Sequence, residues 1–240
     1  MMAMSSMEFE GVPHECYIRL YYLEKTLRWF IWKHWDEIVK HVPEIARKAE
    51  KYMQQQLELE RRMKVPTTKC IHPVWYLDFP KDYIEIIKRN RRIFNPLLGE
   101  ISGDRDVQLI RLIDELEKLW PLRRNIAHMR PLSPQQVELL NSSSRRLLRF
   151  IWDYINGEFV DPANECIEKG DFKKAEELLL KGLEETAFED RGDPWIAFNL
   201  GMLYKKLGRH EEARRWIEYA KKRLPLPEYV RKAEEALKDC

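Results

Sequence analysis

The sequence predicts an all-α protein in two parts: a helical bundle over residues 14–157, then a short array of helical hairpins over 158–240 ending in a capping helix. Three observations carry this. Apolar residues recur at spacings of three, four and seven, the period of a helix with one buried face. Glycine is scarce, with 9 in the chain, and 44% of residues are hydrophobic, ample for packed cores. Near the C-terminus, small residues recur at fixed offsets, as paired helices require for close approach. Residues 1–13 read as a flexible N-terminus, and residues 1–7 are too short for a signal peptide.

The first predicted helix covers 14–41, with Cys16, Leu20, Leu23, Leu27, Ile31 and Ile38 on one stripe. Tyr22, Trp29 and Phe30 add apolar surface on other sides, so this helix belongs at the bundle centre or partly in a dimer interface. Pro43 restarts a helix to about Met63, apolar at Ile45, Ala49 and Met53 and polar opposite. Pro66, Pro73 and Pro80 exclude a regular helix over 65–80. A helix over 81–94 carries Tyr83, Ile86 and Ile87, and includes the basic run Lys88-Arg89-Asn90-Arg91-Arg92. Turns at Asn95-Pro96 and Ser102-Gly103 precede a helix from about Asp104, with Leu109, Leu112, Leu116 and Leu119 as its core stripe. Ser133 and Pro134 start the next helix as N-cap and N1, and its apolar stripe leads to Gly157.

From about Asp161 the texture changes. Leu200, Gly201, Tyr204, Gly208, Ala213, Ala220 and Pro225 resemble the tetratricopeptide pattern at its usual spacing. Gly170, Ala175 and Gly182 echo it, with Ala163 and Cys166 standing where Gly and Tyr are expected. Two such repeats are fewer than the three or so that stand alone, so they are expected to lean on the helix over 133–157. The unit either offers a groove to a peptide, protein partner or sister subunit, or extends the fold.

The formal net charge of +2 excludes a global polyanion-binding surface. It is uneven, +5 over 1–157 and −3 over the remainder. Cys16, Cys70, Cys166 and Cys240 form no CxxC or Cys/His cluster, so neither a metal site nor a disulfide framework is expected, and the natural setting is a reducing cytoplasm. No apolar run approaches a membrane span of ~20 residues. A Gly-rich phosphate loop, a His-Glu-x-x-His pair and a nucleophile elbow are all missing from the sequence, and no cofactor is expected.

One stretch concentrates chemistry: Trp120-Pro121-Leu122-Arg123-Arg124-Asn125-Ile126-Ala127-His128-Met129-Arg130-Pro131-Leu132-Ser133. Guanidinium groups bind phosphate through a rigid fork of donors, and a histidine exchanges protons near neutral pH. That is enough to cut RNA without a metal, because RNA supplies its own 2′-OH nucleophile. The simpler reading is a helix end decorated with caps and solvated charges. On an ideal helix Arg124 and His128 lie about 40° apart and Arg123 and His128 about 140° apart. Either the helix unwinds near Asn125, or an arginine and the histidine meet across a dimer. The run Lys88, Arg89, Arg91 and Arg92 is either a solvated face or a phosphate-positioning patch beside His128, with Arg130 a further phosphate contact.

The order Leu122-Arg123-Arg124-Asn125-Ile126-Ala127-His128, followed by Pro131-Leu132-Ser133-Pro134, resembles the signature of the HEPN superfamily of all-α domains. Tyr21 to Ile31 resembles the first helix of the subgroup whose motif reads Arg-Asn-x-x-Ala-His. Tyr76-Leu77-Asp78-Phe79 and Tyr83 to Ile87 resemble its middle segment, so the resemblance covers roughly 14–155. It implies a metal-independent endoribonuclease with a composite site in a homodimer, leaving a 2′,3′-cyclic phosphate or 3′-phosphate and a 5′-OH. Arg123 takes the place of the motif arginine, Arg124 of the polar follower and His128 of the histidine, with Asn125 among the spacers and orienting. It also implies an effector in defence, stress or a toxin–antitoxin pair. The sequence departs from the pattern at Arg124, where members often carry Asn, Asp or His. It departs again at Arg130, where toxins paired with nucleotidyltransferase antitoxins tend to carry Tyr. The alternative is a non-catalytic scaffold of the same build that binds RNA, a nucleotide or a protein.

Overall fold

The computed structural model describes residues 14–65, 72–98, 105–128, 130–187 and 191–238. The expected flexible start, the Ser102-Gly103 turn, Met129, Cys70 and Cys240 lie outside the described residues. Among those described the chain is all-helical, without a strand.

Helix α1 (His14–Lys33) ends earlier than the periodicity predicts. His34 leaves helical geometry at φ −112°, its ring tilted on Phe30, and α2 (Trp35–Ile38) sets off separately so that Trp35 meets His72 edge-on. Helix α3 (Pro43–Met63) has the expected bounds. A 3₁₀ turn at Pro73–Tyr76 follows, with the His72 ring nitrogen Nδ1 accepting from the Val74 N–H. The predicted helix over 81–94 is two helices, α4 (Lys81–Arg89) and α5 (Arg91–Phe94), broken at the buried corner Asn90. A second 3₁₀ turn spans Asn95–Leu98. Helix α6 (Arg105–Ala127) then pairs with α7 (Pro134–Ile155). Ser133 caps α7 as expected, and Gln136 reciprocates by accepting from the Ser133 N–H.

The bundle core joins Leu23, Leu27 and Ile31 of α1 to Ile86 and Ile87 of α4, Phe94 of α5, Leu116 of α6 and Leu147 of α7. Each such side chain contributes about 2 kcal/mol relative to exposure. Arg146 on α7 pairs with Glu115 on α6 at 2.8 Å, locking the helix pair. Burial pushes the Glu115 carboxyl up, but hydrogen bonds from Arg146, Ser143 and Lys118 outweigh it and hold the group below its usual range.

Helix α7 does not stop at Gly157. One π-helical turn, Asn156–Val160, carries it into α8 (Asp161–Glu168). Then follow α9 (Phe172–Thr186), α10 (Pro194–Lys206), α11 (His210–Lys221) and α12 (Pro227–Lys238). At Gly201 two helices approach as closely as the spacing implied. A Cβ on Gly201 of α10 would lie 2.6 Å from Ile217 Cγ1 and 3.2 Å from the Ala213 carbonyl oxygen of α11. Gly208 closes the turn between those helices at φ +73°, in the left-handed region.

The hairpins pack on α7, as expected, and also along α1. Tyr22 donates to the buried Asp193 carboxylate at 2.5 Å and accepts from Trp152 Nε1 at 2.9 Å. Asp193 in turn caps α10 by accepting from the N–H groups of Trp195 and Ile196. Burial pushes the Asp193 carboxyl and the Tyr22 hydroxyl above their ordinary values. Trp29 Nε1 reaches the Glu185 carbonyl, and the buried Arg19 guanidinium donates to the Pro225 carbonyl and to Asn141. Trp152, Trp195 and Tyr229 close the seam as an aromatic cluster.

Candidate functional site at the end of helix α6

Helix α6 carries the Arg/His stretch to its end without unwinding at Asn125. The His128 N–H still donates to the Arg124 and Asn125 carbonyls, each at 3.2 Å, and the Arg130 N–H closes the turn on the Asn125 carbonyl at 2.9 Å. Leu122 and Ile126 are buried and anchor the helix end, and the Tyr17 hydroxyl donates to the Ile126 carbonyl at 3.0 Å. Pro121 lies inside α6 and lacks the N–H that would bond the carbonyl four residues earlier.

With the core side fixed, the polar groups fall outward. Arg124, His128 and Arg130 are exposed, and Arg123 and Asn125 are half-buried. The continuous helix keeps Arg124 and His128 on one face and turns Arg123 to its flank. Among the described residues, none of these five side chains has a hydrogen-bonding or ion-pairing partner. One cause is local sequence: no Asp or Glu occurs from Lys118 to Val137. The result is a positive, unsatisfied patch carrying one proton-exchanging group.

The second basic element lies elsewhere. Lys81 sits over the Trp120 ring at 6.0 Å, whereas Lys88 bonds Glu117 at 3.3 Å, so α4 runs antiparallel to α6 and its basic end points away from the motif. Eleven residues at 1.5 Å each separate Glu117 from His128, about 17 Å along the axis. Arg89 pairs with Glu44 at 2.5 Å, Arg91 is engaged as well, and Arg92 is exposed. The corner at Asn90 splits the run between two helices, and with His41 it lines a groove of about 380 Å³. One chain therefore does not bring Lys88, Arg89, Arg91 and Arg92 beside His128.

The sequence reading missed a feature on the outer face of α6. Val107, Ile110 and Trp120 are 43%, 59% and 44% exposed. Positions 107, 110, 114, 117, 121, 124 and 128 form one continuous outward stripe, and Trp120 lies next to it. The signal was the pair Val107 and Ile110, three positions apart and offset from the core stripe. Val107 and Ile110 form an apolar end of this stripe that suits contact with a second chain, and the ion-paired Asp114 and Glu117 separate it from Arg124 and His128.

Among the described residues no group of three His, Cys, Asp or Glu side chains could hold a metal ion, and no helix is long and apolar enough to cross a membrane. Compared with protein-family models, curated proteins and solved structures, the chain finds no significant match.

Proposed function

We propose that this protein is a metal-independent endoribonuclease of the HEPN type, acting as a homodimer through the bundle. The observation that supports it best is the set of unpaired Arg124 and His128 side chains on one exposed face of α6, flanked by Arg123. In this reading His128 removes the proton of an RNA 2′-OH. The oxygen attacks the adjacent phosphorus, and the bond to the 5′-oxygen of the next nucleotide breaks. Arg123 or Arg124 of the facing subunit neutralises charge on the phosphoryl oxygens, and Asn125 orients the group. The leaving oxygen takes a proton from the resulting His128 imidazolium or from water, giving a 2′,3′-cyclic phosphate and a 5′-OH. Arg130 contacts flanking phosphate, whereas Lys88, Arg89, Arg91 and Arg92 contribute only through a longer substrate.

The bundle is thus read as HEPN-like over 14–157 and the hairpins over 158–240 as tetratricopeptide-like, serving a peptide or protein partner. The setting is cytoplasmic, in stress, toxin–antitoxin or defence physiology. A specific observation favours the non-catalytic scaffold as second reading: no described residue bonds the His128 ring to fix its tautomer. Cleavage of mixed RNA in EDTA separates the two. Fragments with cyclic-phosphate ends, lost in His128→Ala, support the enzyme; intact RNA that is nevertheless bound supports the scaffold.

A further inference from the structure

Between the start of α1 and the α11–α12 connection lies a groove of about 470 Å³, within the size range of pockets that take specific ligands. Its floor is apolar: Ile18 from α1, Leu224 and Pro225 from the connection, Val230 from α12. Its rim is cationic. Lys222 and Arg231 are exposed and have no ion-pair partner among the described residues, while Lys221 holds Glu234 at 3.0 Å. Among the described residues Glu15 is the one acidic side chain lining it.

The wall is built in advance. The buried Arg19 guanidinium grips the Pro225 carbonyl at 3.0 Å from behind, the Leu224 N–H bonds the Ala220 carbonyl at 2.9 Å, and Tyr229 is wedged between Trp152 and Trp195. A groove whose backbone is already fixed loses little freedom on binding. Free cations above an apolar floor match an extended segment that alternates carboxylates with large apolar side chains, and they repel a basic one.

We infer that this groove docks an acidic, apolar-bearing peptide segment of another protein. The inference rests on the C-terminal unit serving a partner, and it stands or falls independently of RNA cleavage.

The probe is a fluorescein-labelled, end-blocked peptide of alternating Glu and Leu, titrated with the full chain and followed by anisotropy. Saturable binding is expected, weakening with salt and falling at least about tenfold in the double variant Lys222→Glu/Arg231→Glu. A peptide with Lys in place of Glu, or Ser in place of Leu, should bind at least about tenfold more weakly. Both substituted cations are solvent-exposed, so unchanged thermal melting confirms that the variant is folded. Equal binding of the Lys peptide, or an unaffected double variant, overturns the inference. So does binding that appears only once residues 1–13 are removed, or a dimer that Val230→Asp dissolves, since these assign the groove to the chain itself or to a second copy.

Discussion

Tyr22 and Asp193 stand 171 positions apart and share a 2.5 Å hydrogen bond in the interior. That bond joins the first helix of the bundle to the first turn of α10, because the same carboxylate caps α10. One buried hydrogen-bond network thereby bridges the bundle and the hairpins at this seam. Tyr22→Phe strips Asp193 of a donor and leaves the Trp152 N–H without its acceptor. A loss of about 1–3 kcal/mol is expected, read by urea unfolding as a lower midpoint with a single transition. An unchanged midpoint would show that the seam does not depend on this hydroxyl.

Gly201 and Gly157 are expected to respond in opposite ways to alanine. At Gly201 the new methyl would meet Ile217 and the Ala213 carbonyl, so α10 and α11 must separate, at a cost of about 1–3 kcal/mol. At Gly157 an added methyl would meet no packing neighbour within 4 Å, and the helical backbone suits alanine. That change should be neutral or stabilise by up to about 1 kcal/mol. Thermal melts of the two variants side by side decide the matter.

Stability should fall on mild acidification. Burial lowers the affinity of His34 and of His72 for a proton, each below the ordinary histidine value. A depressed folded value means that the contribution is present above the unfolded value of about 6.5 and is lost as pH falls through the folded one. At His72 the chemistry agrees, since a proton on Nδ1 would displace the Val74 N–H. His72→Asn keeps a capping acceptor without titrating, so its melting temperature should drop less between pH 7 and pH 5. A His72 titration midpoint at or above 6.5, followed by proton NMR, would refute this.

Ile110 tests the outer face of α6. At 59% exposure it contributes little to the monomer core. Ile110→Glu should therefore leave the stability of the monomer nearly unchanged, within about 0.5 kcal/mol. It should nevertheless raise the dimer dissociation constant at least about tenfold in sedimentation equilibrium. Equal self-association of the two proteins would remove this face from the interface.

What the sequence showed and what it hid follow one rule: local signals were legible and long-range geometry was not. Ser133-Pro134 announced the start of α7 because capping is decided within four residues. Leu122 and Ile126 announced the buried side of α6 by period alone. The breaks at His34 and Asn90 are an exception to that rule, for apolar residues continue on both sides. The local contacts at the corners, the His34 ring on Phe30 and the Asn90 side-chain amide donating to the Ile86 carbonyl, are equally compatible with an unbroken helix by spacing alone. Whether Lys88 lies near His128 depends on which way α4 runs past α6, which no spacing within either helix records. No local pattern marks Asp193, whose burial comes from Tyr22, 171 positions away, and from the start of α10.

The most direct measurement mixes two inactive proteins. Arg124→Ala and His128→Ala remove exposed, unpaired side chains, so both should fold as the parent does. In a composite site each homodimer lacks one group everywhere, but a mixed dimer holds one site with both groups. Cleavage of RNA in EDTA should be absent for each variant alone and return to about a quarter of the parental rate in an equimolar mixture, because half the dimers are mixed and each carries one complete site. A parent protein that leaves RNA intact contradicts the ribonuclease, and a silent mixture beside an active parent contradicts the composite Arg124/His128 site.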